Sequence, residues 1–115
     1  MLWGMKPNTL VNAGSLLVDH SPVPPDQVVG GRPRTGVAPF GSFGGLEVGV
    51  WEMTPGTMCD VEAEEIFVVL SGSAVVEFGD GTPALTLAVG DVVRLAAGAR
   101  TVWTVTETLR KVYLS

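Results

Sequence analysis

The chain is poor in the residues that most enzyme chemistry draws on. Its 115 residues include one cysteine, Cys59, and one histidine, His20. A lone cysteine excludes an intramolecular disulfide and agrees with a reducing, cytoplasmic setting. Cys59 has no histidine near it in the sequence, and it reads either as a nucleophile or as a passive thiol. Basic residues are few as well: seven, scattered along the chain, against twelve acids, for a net charge of -5. No basic stripe exists to neutralise phosphates, which argues against nucleic acid as a partner. No apolar run approaches the roughly 20 residues needed to span a bilayer, which argues against a membrane. The mildly apolar stretch 10–18 is broken by Asn12 and Gly14 and lacks a cleavage pattern, so it is not read as a signal peptide. Helical periodicity is missing too, since no segment keeps it over ten residues.

What is present is apolar and full of turns. Hydrophobic residues make up 46% of the chain and charged ones 17%, with 15 glycines and 8 prolines. That composition fits one domain with a real core, built from short elements rather than long helices. Alternating stretches at 46–53, 65–70, 73–78, 84–88, 92–95, 101–106 and 110–114 read as strands. Gly56, Gly72, Gly81, Gly90 and Gly98 punctuate them, a spacing that predicts an all-β sandwich or barrel. Segment 1–36 is different. Three prolines within Pro22-Val23-Pro24-Pro25 exclude helix, and Gly30-Gly31-Arg32-Pro33 is another break. It reads as an extended arm with short strands around Leu10 and Val28-Val29, packing on the barrel of 37–115 or on a partner subunit.

One stretch concentrates polar chemistry. Residues 54–72 open on a Pro-Gly turn, place Asp60, Glu62, Glu64 and Glu65 within six positions, and run into an apolar strand. These acids are either a solvated turn or the floor of a site. Alternation puts Glu65, Phe67 and Val69 on one face and Ile66, Val68 and Leu70 on the other. Both faces are apolar, so the outer one needs a second cover, and a homodimer is expected.

From Gly45 onward the chain resembles a small cupin, and more narrowly the ureidoglycine aminohydrolase-like cupins. The resemblance rests on Val50-Trp51-Glu52, Thr54-Pro55-Gly56, Glu65 separated by six residues from Gly72, Gly90-Asp91, Gly98, and Trp103 leading to Leu109-Arg110-Lys111-Val112-Tyr113. It implies an antiparallel double-stranded β-helix, the cupin jelly-roll barrel. It also locates departures. The two histidine positions of the first cupin motif fall on Glu62 and Glu64. In the second motif Ala96 replaces the proline, Thr101 the histidine and Val105 the asparagine.

Iron, nickel, copper and zinc favour imidazole or thiolate, so no transition-metal cofactor is expected. The alternative is Mn or Mg on Glu62, Glu64 and Glu65. His20, in the arm, is either a ligand folding over the barrel mouth or an exposed residue. If Glu65 points inward as the family glutamate does, then Glu65, Phe67, Thr101, Trp103 and Trp51 line a mostly apolar cavity suited to a small organic molecule. Glu65 is then the best candidate for acid–base work, unless Trp103, Arg94 or Arg100 ties it down in a filled core. Three functions follow. One is metal-free binding of a small molecule. The second is a divalent-metal enzyme acting on a small ureido or amino compound. The third is a structural or interaction module without a ligand.

Overall fold

The computed structural model describes residues 5–115, and within them the chain is all β. Nine strands follow in order: β1 (Ser21–Pro22), β2 (Val28–Gly31), β3 (Arg34–Phe43), β4 (Leu46–Met53), β5 (Gly56–Val61), β6 (Glu65–Phe78), β7 (Leu85–Leu87), β8 (Val92–Leu95) and β9 (Arg100–Leu114). All pairings are antiparallel. No helix among the described residues is long and apolar enough to cross a membrane.

Two long, bent strands form the spine. β9 pairs with β6 along nearly its whole length, from Phe78↔Thr101 to Ile66↔Leu114. On its other edge β9 takes β5 with its first half and β4 with its second. β6 in turn takes β8 with its first half and β7 with its second. The shared sheet curls around a core of Phe67, Val69, Val76, Trp103, Val105 and Leu109, with Met53 and Leu95 closing it. These positions alternate along their strands, which is why one set of side chains fills the inside.

The spine corrects two expectations. Segments 65–70 and 73–78 are one strand rather than two, and 101–106 and 110–114 are likewise one. The reason is Gly72. Its φ of 89° lies in the left-handed region, where it makes a bend instead of a reversal. The pairing register shifts between Val69, Ser71, Ser73 and Ala74, so the strand kinks and continues. β9 passes so close at this point that a Cβ on Gly72 would lie 2.0 Å from the Thr108 carbonyl oxygen.

The arm is more structured than its composition suggests. β3 begins at Arg34 and crosses the expected 36/37 boundary to pair with β4. β1 pairs with β3, and β2 extends the sheet beyond β5. No strand forms around Leu10. The arm lies along its own barrel. Arg110 donates to the Ala13 carbonyl at 2.8 Å, and His20 Nε2 lies 2.6 Å from Glu52 Oε1.

Candidate functional site

Register alone assembles a polar cluster inside the barrel. Trp51 and Lys111 are direct cross-strand partners, as are Lys111 and Val69 on the other edge of β9. Side chains paired this way share a face. The adjacent pair, Glu52 and Arg110, then points to the opposite face, under the arm. Met58 pairs with Trp103, and Asp60 with Thr101, at the other end of the barrel. Phe67 pairs with Tyr113. The result is a cavity of about 330 Å³, lined by Trp51, Met58, Asp60, Glu62, Glu65, Trp103, Lys111 and Tyr113 among others.

Lys111 is the centre of this cluster. Its side chain is 5% exposed, and its ammonium donates to Glu65 Oε1 at 3.0 Å. The same nitrogen lies 4.2 Å from the centroid of Phe67, 4.5 Å from Trp51 and 4.8 Å from Trp103. Ring faces are electron-rich, so three of them around one ammonium offset part of its lost hydration. Burial nevertheless pushes the Lys111 amine below its ordinary range, while Glu65, Glu62 and Asp60 pull it partway back.

The carboxylates have distinct partners. Glu62 accepts from the Thr101 hydroxyl at 2.6 Å and from the Trp103 indole N–H at 2.9 Å. Asp60 takes a backbone N–H from Val61. Burial and the neighbouring Glu62 raise the Asp60 carboxyl above its ordinary range, against the opposing pull of that N–H and of Lys111. The Tyr113 hydroxyl donates to Glu47 at 2.7 Å, and burial together with that acceptor raises its pKa. Among the described residues no buried side-chain polar atom lacks a partner.

The residues picked out from the sequence divide. Glu65, Trp51 and Trp103 line the cavity. Phe67 and Thr101 do not line it: Phe67 is fully buried beneath Lys111, and Thr101 is buried behind Trp103, where it also accepts from the indole at 3.1 Å. The partner of Glu65 is Lys111, not Trp103, Arg94 or Arg100. Trp103 turns to Glu62, and Arg94 pairs with Glu64 on the surface. Glu64 therefore leaves the set Glu62, Glu64, Glu65: with Glu62 inward, the residue two positions on lies past the end of β5 and turns out. His20 is at neither predicted place. It is half-buried against Glu52, outside the barrel, because Glu52 alternates with Trp51. Cys59 is a half-buried free thiol on β5.

In the sequence Asp60 was marked only as one of the four clustered acids, and Lys111 and Tyr113 were not singled out as site residues. The signal for Lys111 was its alternation with Leu109 and Tyr113, which places it on their buried face.

The metal that cupins commonly hold does not fit these residues. The cupin histidine positions are carboxylate or hydroxyl here. Glu62 is turned to Thr101 and Trp103, and an ammonium sits on Glu65, where it would repel a second cation. Among the described residues no three histidine, cysteine or carboxylate groups converge on one point.

The family model for the EutQ-like cupin domain matches residues 41–113. The chain belongs to this cupin family. A structure of a protein of unknown function from Pseudomonas syringae is 28% identical with a TM-score of 0.73, over 88% of this chain and 45% of that one. The chain thus spans less than half of that relative. The EutQ protein of Clostridium difficile is 16% identical with a TM-score of 0.61, over 71% of this chain and 67% of that one. A protein of unknown function from Acidithiobacillus ferrooxidans is 24% identical with a TM-score of 0.62, over 97% of this chain and all of that one (100%). The latter two likenesses speak for the cupin fold alone. A search of curated proteins finds no match.

Proposed function

We propose that this cupin binds a small organic molecule inside its barrel without a metal, in the cytoplasm. The observation that carries the reading is the cavity of about 330 Å³ with a buried Lys111–Glu65 pair at its base and Trp51 and Trp103 as walls. The size and the mix of apolar wall with a few convergent polar groups are those of small-ligand sites. A core evolved only for packing has no need of an ammonium, since an apolar side chain of similar volume costs less to bury.

The narrower likeness to ureidoglycine aminohydrolase-like proteins would make this a divalent-metal enzyme on a ureido or amino compound. Lys111 speaks against that reading, because its charge lies where the metal would be needed. Elemental analysis separates the two. Near one equivalent of iron, zinc, nickel, copper or manganese that survives dialysis would overturn the metal-free reading.

A thermal-shift screen of small polar compounds tests binding itself. Asp60→Asn is the variant to set beside the parent protein, since Asp60 lines the cavity and holds no side-chain partner. A ligand that raises the melting temperature of the parent and less that of the variant supports the site. No response to any compound would favour a structural module.

A further inference from the structure

We propose that Lys111 is a covalent ligand-binding residue, whose amine condenses reversibly with a small uncharged aldehyde or ketone admitted to the barrel. This deepens the metal-free binding reading and rests on it. The chain has two lysines, Lys6 and Lys111. Lys6 is exposed on the arm, while Lys111 lines the cavity and is nearly shut off from solvent. A lysine that reacts with carbonyls needs three things: a fraction of neutral amine, a base beside it, and a place where the product's charge is tolerated. Each has a counterpart here. Loss of solvent on burial disfavours the ammonium more than the ring faces restore it, and Glu65 at 3.0 Å is placed to take its proton.

The step balances without a further reagent. Lys111 passes a proton to Glu65, and the nitrogen lone pair forms the C–N bond as the carbonyl electrons move to oxygen. That oxygen takes one proton from the attacking nitrogen and a second back from Glu65, and leaves as water while C=N forms and Glu65 returns to the carboxylate. One amine and one carbonyl give one imine and one water, with no change of oxidation state. The protonated imine carries the same single positive charge as the lysine it replaces. It therefore inherits the ammonium's surroundings: the Glu65 carboxylate and the faces of Phe67, Trp51 and Trp103. Three carboxylates, Asp60, Glu62 and Glu65, share the cavity with this one cation, so the field disfavours an anionic carbonyl compound such as a 2-oxo acid.

The test is reductive trapping on the intact protein. Propionaldehyde and, separately, pyruvate are added at neutral pH with sodium cyanoborohydride, and peptide mass mapping follows the adduct at Lys111, Lys6 and the α-amino group over time. Propionaldehyde is expected to label Lys111 several-fold faster than Lys6, and pyruvate to label it more slowly than propionaldehyde does. Lys111→Arg keeps the charge but cannot form the imine, and is expected to lose the fast adduct. Labelling of Lys6 as fast as or faster than Lys111 overturns the proposal. If that result comes with a non-covalent ligand found by thermal shift, only the covalent role fails. If no compound of either kind enters the cavity, the binding reading fails with it. The parent protein alone decides between these outcomes, even if Lys111→Arg does not fold.

Discussion

Lys111 and Glu65 are a buried ion pair in an aromatic cage, and their removal is not symmetric. Lys111→Met leaves Glu65 charged in a site with no other cation in contact, and loss of one partner of a buried pair costs about 3–5 kcal/mol. Glu65→Gln leaves the ammonium over three ring faces, and such contacts hold a desolvated cation by about 2 kcal/mol or more. Urea unfolding is therefore expected to rank Lys111→Met below Glu65→Gln, with the double variant recovering most of the loss. Equal losses for both single variants would mean that the rings do little.

Asp60 gives a prediction in pH. Its folded pKa is raised above 3.8, so the folded state binds the proton more tightly than the unfolded state does. Stability then falls as pH rises from below 3.8 through the raised value, and stays lower above it. Asp60→Asn removes this term. The melting temperature of the variant should match the parent at low pH and exceed it near neutrality. A difference that is constant across the range would show that Asp60 does not titrate in this way. At this scale the sequence was partly legible. Glu65, Trp51 and Trp103 follow from alternation and the cupin resemblance. Lys111 did not follow, because a charge inside an alternating strand ordinarily marks the solvent face. Only the register of β4, β9 and β6 puts it under Trp51.

The elements depend on where the two spine strands bend. Gly72 permits the kink in β6 with a φ of 89°, and the Thr108 carbonyl leaves no room for a side chain there. Gly72→Ala combines backbone strain, of order 1–3 kcal/mol, with a clash against β9. It is expected to lower the urea midpoint by more than Gly81→Ala, whose Cβ would meet nothing within 4 Å at a similarly positive φ of 85°. Similar losses at both sites would show that the bend does not need the glycine. The same glycine explains which elements the sequence conveyed. β4 and β8 appear with the expected bounds, since turns at both ends isolate them. β6 was split in two because Ser-Gly-Ser reads as a turn when the partner strand is unknown. β3 was not seen because Arg34–Phe43 carries three glycines and prolines among its ten residues and acquires strand geometry by pairing with β4.

At the scale of the molecule, one face of the sheet has no cover among the described residues. The arm's contacts with Ala13 and His20 fall on β9 and β4, over Arg110 and Glu52. They leave Ile66 41% exposed, with Leu46 on β4 43% and Val92 on β8 63% exposed. Val68, paired with Val92 and Val112, continues the same outward row between them. Patches of this kind on small β proteins are commonly buried by association, and a two-fold pairing of identical faces is the commonest solution. We propose that a second copy of this chain covers the row, with Arg94 and Glu64 as its charged border. Light scattering at micromolar concentration is expected to give twice the 12.0 kDa of the monomer. Changing Ile66 and Val68 together to serine should return the monomer mass while leaving the barrel folded, because both side chains point away from the core. A monomer mass for the parent protein would overturn the dimer. A dimer that survives the double change would place the interface elsewhere, with the edge of β8 as the next surface to test, since among the described residues β8 pairs with β6 alone and its other side is a sheet edge.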